Sequence, residues 1–188
     1  MIVCIGDSIT YGQLLEPELA WPSLLPDHDL LAFGVPGDTT RLMLERFPSD
    51  VQSYPAEAVI IQVGHNDANR WETDRKLVRV QKRAFKANLE EMIIRSRRFK
   101  MVPFLCTLTP TFKTQKYSDD CKGYDDTLRI VAESKNVRLV DARLEFFRWP
   151  HGSKALLLPD MLHLNADGQQ VFANAVKKAV DAWKAEEQ

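Results

Sequence analysis

Four short polar segments hold the residue types from which acyl-transfer chemistry can be assembled. Ser8, in Gly6-Asp7-Ser8-Ile9-Thr10, offers a hydroxyl. Gly34-Val35-Pro36-Gly37-Asp38-Thr39-Thr40 offers main-chain N–H groups, with Gly37 letting the backbone approach a ligand without a Cβ in the way. Gly64-His65-Asn66-Asp67 offers the side-chain amide of Asn66, and Asp160-Met161-Leu162-His163 offers a carboxylate and an imidazole three residues apart. Attack by a serine oxygen on an ester carbonyl creates a negative oxygen that needs donors fixed in advance. The N–H groups of Ser8 and Gly37 and the NH₂ of Asn66 can supply three. The hydroxyl also needs a base. The D-x-x-H spacing can bring Asp160 and His163 onto one side of a turn, so that the carboxylate fixes the tautomer and the far ring nitrogen takes the serine proton.

Each segment alone also fits a structural role. Asp7 or Ser8 can cap a helix, Gly34 and Gly37 can make a turn, and Asp160 and His163 can form a surface pair. Their combination is what favours chemistry. Of the other histidines, His28 opens a strand with no evident partner, and His151 belongs to the loop Trp149-Pro150-His151-Gly152. His65 adjoins Asn66 and is expected to shape the pocket rather than act as a second base.

The elements that position these residues follow from the patterning. Short β-branched and apolar runs at 2–5, 28–33, 58–63, 101–108 and 137–140 read as strands, several apolar enough to be covered on both faces. Between them, three- and four-residue periodicity predicts helices over 39–54, about 73–98, 119–135 and about 166–184. Alternation of strand and helix predicts a parallel sheet between helical layers. The three glycine-containing turns follow the first three strands, at the sheet edge where such folds place their ligands. In the common order 2-1-3-4-5 they become neighbours, and Ser8 is flanked by Gly37 and Asn66.

Composition narrows the classes. The 188 residues carry 25 basic and 26 acidic side chains, a net charge of −1, with 45% apolar and 27% charged residues. That profile fits one globular domain over 1–188 and argues against nucleic acid as a partner, since nucleic-acid binders rely on a surplus of cations. The basic run 95–100 reads as a solvated helix end. No apolar run approaches the roughly 20 residues of a membrane span, and Met1 leads straight into the first strand with no secretory leader. Cys4, Cys106 and Cys121 are odd in number, widely spaced and free of C-x-x-C pairing, so they read as buried thiols of a cytoplasmic protein.

The quoted segments resemble the conserved blocks of the SGNH hydrolases, also called GDSL esterases and lipases. Gly6-Asp7-Ser8-Ile9-Thr10 is similar to their first block, and Gly37 falls where the second supplies an oxyanion N–H. Gly64-His65-Asn66-Asp67 is similar to the third block, G-x-N-D, and Asp160-Met161-Leu162-His163 to the last. The blocks occur in family order from residue 6 to residue 163. The resemblance implies a flavodoxin-like three-layer α/β/α fold with five parallel strands and hydrolysis of esters or thioesters without metal or cofactor. It also implies that Asp7 orders the nucleophile turn.

Two positions depart from the pattern: Ala32 stands where the second block often has Asn, and His65 stands where the third often has Gly or Thr. Both bear on substrate range more than on reaction type. The α/β-hydrolase elbow G-x-S-x-G is absent, because Thr10 replaces its second glycine.

Pocket walls are expected from His65, from a long loop over 110–124 containing Phe112, Tyr117 and Tyr124, and from Phe146, Phe147 and Trp149 after the fifth strand. With no long lid or large apolar insertion, the expected acyl group is short. Two rival readings remain. A metal-dependent phosphoesterase would gather Asp7, Asn66, Asp67, Asp160 and His163 around a divalent ion, although D-x-H and G-N-H-D patterns are missing. A non-catalytic flavodoxin-like binding module would explain the alternation but not the combination of Ser8, Asn66 and His163.

Overall fold

The computed structural model describes residues 1–186. Five strands, β1 (Ile2–Gly6), β2 (Leu30–Gly34), β3 (Ala58–Gln62), β4 (Val102–Cys106) and β5 (Arg138–Val140), form one parallel sheet in the order β2-β1-β3-β4-β5. Among the described residues seven α-helices connect or flank them: α1 (Ser8–Tyr11), α2 (Thr40–Phe47), α3 (His65–Ala68), α4 (Lys82–Arg98), α5 (Gln115–Ser134), α6 (Ala142–Arg148) and α7 (Ala166–Glu186).

Side chains of a strand alternate between faces, and here each face has its own helical layer. Val3 and Ile5 of β1 and Val59 and Ile61 of β3 pack with Met43, Phe47, Phe85, Leu89, Leu128 and Val131 of α2, α4 and α5. Ile2, Cys4, Ala58 and Ile60 pack with Ile9, Phe146, Phe172 and Val176 of α1, α6 and α7. Every residue of β1 and β3 is buried, which is why those runs are continuously apolar. Complete burial of each Val or Ile contributes about 1.5–3 kcal/mol. Strand order reverses beside β1, and the segments leaving β1, β2 and β3 meet there.

Several boundaries differ from the sequence expectation. The helix expected from about 73 starts only at Lys82. Residues 70–80 instead turn back on themselves, with an antiparallel bridge between Arg70 and Val78 and left-handed backbone at Arg75 and Lys76. The misleading residue was Leu77, which continues the helical spacing but is 63% exposed. At the other end of the sheet the error ran the opposite way. α5 begins at Gln115, with Thr114 Oγ1 accepting the Tyr117 N–H at 3.2 Å, so most of the expected 110–124 loop is helix. α2 ends at Phe47, where Pro48 opens a short wider turn, Pro48–Gln52. His28 precedes β2 rather than opening it, and its Nε2 lies 3.2 Å from Asp181 of α7, a partner the sequence did not suggest. No helix among the described residues is long and apolar enough to cross a membrane.

Candidate active site

The first turn is locked from beneath. Asp7 is fully buried and caps α1, its Oδ1 accepting the Ile9 N–H at 2.9 Å. Gln62, at the end of β3 and opposite Gly6 in the register, accepts the Asp7 N–H at 3.3 Å and the Thr10 hydroxyl at 2.9 Å. A Cβ on Gly6 would collide with Thr10 and stand 2.9 Å from Gln62 Oε1, so this close approach requires glycine. Ser8 opens α1, and the first N–H groups of a helix have no intrahelical acceptor. Its N–H finds no acceptor among the described residues.

The second turn hangs on α2. Gly37 has φ +86°, the left-handed region that favours glycine, and space where a Cβ would stand. Its N–H likewise finds no acceptor among the described residues. Arg46 braces the turn from below: Nε donates to Asp38 Oδ2 at 2.6 Å, and Nη2 donates to the carbonyls of Gly6 at 3.0 Å and Phe33 at 3.2 Å. Thus an arginine one helix away fastens the turn whose neighbouring strand carries Ala32 in place of Asn.

The third turn becomes α3. Asn66 Nδ2 lies 3.4 Å from Asp7 Oδ2, which tethers the amide beside α1. Asp67 accepts the Thr40 N–H at 3.1 Å and the Thr40 hydroxyl at 2.5 Å, and Asn88 of α4 donates to that hydroxyl at 2.9 Å. Burial pushes the Asp67 carboxyl up to about 6 despite these bonds. Burial likewise pushes Asp7 up to about 7, against the lowering effect of its bonds to Ile9 and Gln62.

The last segment arrives just before α7. Asp160 Oδ1 accepts the N–H groups of Leu162 and His163, both at 3.0 Å, around a left-handed Met161. The Met161 carbonyl accepts from the Thr111 hydroxyl and the Phe112 N–H, each at 2.9 Å, anchoring the loop to the segment after β4. In α7, Gln169 accepts the Trp21 N–H at 3.0 Å and donates to the Ile9 carbonyl at 3.3 Å, clamping the helix against α1. The result is a continuous line of polar atoms. Asp160 Oδ2 is 2.5 Å from His163 Nδ1, and His163 Nε2 is 3.1 Å from Ser8 Oγ. Burial works to raise the Asp160 carboxyl, but the ring and main-chain N–H of His163 and the N–H of Leu162 hold it below its ordinary value.

The other expected pocket residues divide. His65 is buried, with Nε2 at 3.0 Å from the Thr109 carbonyl; burial lowers it to about 4, so at neutral pH it is an uncharged spacer. Tyr117 donates to the His65 carbonyl at 2.9 Å and forms one wall of a cavity of about 310 Å³ with Asn69, Trp71, Lys113 and Thr114. Phe112 is half-buried beside the Asp160–His163 loop, with the Lys154 ammonium over its ring. Phe146 is not a pocket residue: it is fully buried on α6 in the core facing α7. Phe147, on the next position of that helix, is 57% exposed with Arg143 against its ring. Both lie on α6, a helix that the sequence patterning did not reveal. Among the described residues, no three His, Cys, Asp or Glu side chains are gathered so as to hold a metal ion, so the ligand set of the phosphoesterase reading is not assembled.

Comparison with known proteins shows the family. The family model of the GDSL-like lipase/acylhydrolase family matches residues 4–171. An arylesterase from Vibrio mimicus is 29% identical over 155 residues, 77% of this chain and 71% of that protein. Thioesterase 1/protease 1/lysophospholipase L1 from Escherichia coli K12 is 26% identical over 51% of this chain and 50% of its own length. Among solved structures, LAE5, an alpha/beta hydrolase enzyme from the metagenome of Lake Arreo, superposes with a TM-score of 0.80 at 27% identity, covering 95% of this chain and 93% of its own. The reading as a non-catalytic binding module is thereby overturned: the chain belongs to the GDSL-like lipase/acylhydrolase family and is an ester-bond hydrolase.

Proposed function

We propose that residues 1–188 form one serine esterase domain that cleaves short-chain carboxylic esters or thioesters through Ser8, His163 and Asp160. The observation that carries this reading is the unbroken contact from Asp160 through His163 to Ser8 Oγ. Asp160 holds the Nδ1–H tautomer, which leaves the Nε2 lone pair facing the hydroxyl. His163 Nε2 takes the Ser8 proton as Oγ attacks the carbonyl carbon, and the carbonyl electron pair moves onto oxygen. The N–H groups of Ser8 and Gly37 and the Asn66 amide receive that charge; the two main-chain donors find no acceptor among the described residues. Collapse of the tetrahedral species expels the alcohol or thiol with the proton from His163. Water then repeats the sequence on the acyl-serine and releases the acid.

The cavity beside Tyr117 and Trp71 is a place for the part of the substrate beyond the reacting carbonyl. The three cysteines are free and buried, which supports the cytoplasmic setting expected from their pattern.

The decisive experiment is a chain-length series of p-nitrophenyl esters, with a sugar acetate and an acyl thioester in the same panel, run on wild type and Ser8→Ala. Ser8→Ala is expected to lower kcat by about 10⁴–10⁶-fold and to abolish labelling by a fluorophosphonate, with turnover in the wild type unaffected by a chelator and falling as the acyl chain lengthens. Full activity in Ser8→Ala would remove the nucleophile. Chelator-sensitive turnover would restore the metal-dependent reading.

A further inference from the structure

The loop between α3 and α4 reaches back to the Gly37 turn through one side chain. Arg79 Nη1 donates to the Gly37 carbonyl at 2.8 Å. The same guanidinium lies over the Trp71 ring, its carbon 3.9 Å from the ring centroid. The Arg79 N–H donates to the Asn69 carbonyl at 3.0 Å, and the Asn69 N–H donates to the Asn66 carbonyl at 3.2 Å. A chain of three hydrogen bonds thus runs from Asn66 to Gly37, two of the residues assigned as charge-stabilising donors. No carboxylate lies within ion-pair distance of Arg79 among the described residues. Its one side-chain acceptor is a backbone carbonyl in the catalytic turn, so it is not placed as a member of a surface ion-pair network.

We infer that Arg79 is a positioning residue for the oxyanion donor, a strut seated on Trp71 that fixes the orientation of the Gly37 peptide relative to Asn66. Gly37 has a left-handed conformation with open space where a Cβ would stand, and the peptide that carries its carbonyl is otherwise held by one bond, from the Asp38 N–H to the Val35 carbonyl at 3.2 Å, so Arg79 is its second anchor. A donor stabilises developing charge only if it already points at the place where charge appears. Arginine suits the task because a planar guanidinium can stack flat on an indole while one N–H points at a carbonyl. An ammonium cannot do both with that rigidity. The inference rests on the reading of Gly37 as an oxyanion donor.

The test uses the full chain with p-nitrophenyl acetate, comparing Arg79→Ala, Arg79→Lys, Trp71→Phe and Trp71→Leu with Arg83→Ala, an exposed arginine on α4, as control. Arg79→Ala is expected to lower kcat by about 10–100-fold, less than the 10²–10³ for losing a donor outright, with KM changed less than about twofold, since the donor works mainly in the transition state. The rate of labelling by a fluorophosphonate is expected to fall by a similar factor. Free guanidinium at millimolar concentration is expected to restore part of the Arg79→Ala rate, while Arg79→Lys stays impaired and Trp71→Phe keeps more activity than Trp71→Leu.

Unchanged kcat in Arg79→Ala would overturn the inference. So would a loss in kcat that guanidinium does not reverse and that tracks a fall in melting temperature. Should Arg79→Ala fail to fold, the Trp71 pair decides, since it leaves the arginine in place and removes its seat: a fall in kcat in Trp71→Leu supports the strut, whereas a change confined to KM reports only the cavity that Trp71 also lines and overturns it. An inactive Ser8→Ala beside a fully active Arg79→Ala sinks the strut alone; an active Ser8→Ala sinks the proposed chemistry itself.

Discussion

His163 is engaged on both sides of its ring, and the two contacts are not equivalent. The Asp160 contact at Nδ1 is short and comes from the same loop, whereas the Ser8 contact at Nε2 crosses 155 positions of sequence. Asp160 therefore decides which nitrogen carries the proton. Asp160→Asn presents an amide that can turn its NH₂ toward Nδ1 and favour the wrong tautomer. We expect kcat to fall by about 10²–10⁴-fold, with the Leu162 and His163 N–H bonds preserved through the amide oxygen and the melting temperature little changed. Steady-state kinetics beside a thermal melt checks this, and a kcat within threefold of wild type would show that Asp160 does not orient the ring. At this scale the meeting of Ser8, His163 and Asp160 was legible in sequence because a hydroxyl, an imidazole and a carboxylate occur together in short polar segments, although each type alone is ordinary in a turn. Their supports were not. Gln62 declares itself only as a polar residue closing the apolar run Ala58–Gln62, and its role depends on a register that places it opposite Gly6. Arg79, and Arg46 through its Nη2, act on main-chain carbonyls, which carry no sequence signal at all.

At the scale of elements, strand positions were legible from apolar runs, because burial on both faces leaves few polar choices, while the sheet order came from the order common to such alternating folds. Helix starts were less so. Leu77 mimics the spacing of a core position although it is exposed, and the Thr114 cap that begins α5 went unread. One joint between elements invites a direct test. A Cβ on Gly34, the last residue of β2, would lie 2.7 Å from Tyr11 Cα and 2.8 Å from the Thr10 carbonyl carbon, both in the main chain of α1 or its end. Backbone cannot yield as a flexible side chain can. Gly34→Ala is expected to destabilise the protein by about 1–3 kcal/mol and to lower kcat, because the short helix that must give way is the one that begins with Ser8. Denaturant melts and ester kinetics on the same preparation would show both. Loss of stability with unchanged kcat would mean that α1 does not move.

Over the whole molecule, buried ionisable groups pull stability in opposite directions with pH. Asp7 and Asp67 are raised by burial to about 7 and about 6, so the folded state holds protons that the unfolded chain has already released. Their contribution is complete below the ordinary carboxylate value near 4 and is lost as pH climbs through 6 and 7. His65, lowered to about 4, contributes fully above the ordinary imidazole value near 6.5, and its contribution is lost as pH falls toward 4. Asp7→Asn isolates one of these opposing slopes. Relative to wild type, the variant is expected to gain about 3 kcal/mol of stability between pH 4.5 and pH 7.5, because the cost of ionising a buried carboxyl disappears. Urea unfolding at the two pH values measures it, and an equal offset at both would show that Asp7 titrates in its ordinary range. Activity is expected to suffer in the same variant, since Asp7 also tethers Asn66.

The span between Ser8 and His163 has a consequence for the protein's birth. During translation the strands, the hydroxyl and both main-chain donors emerge long before the imidazole, and Gln169, which clamps α7 to the nucleophile helix, emerges later still. On the proposed chemistry, a ribosome-bound chain that has not yet released α7 carries a hydroxyl at Ser8 with no imidazole held against it. Hydrolysis, on that proposed chemistry, therefore waits until the segment carrying His163 has emerged and α7 has docked on α1.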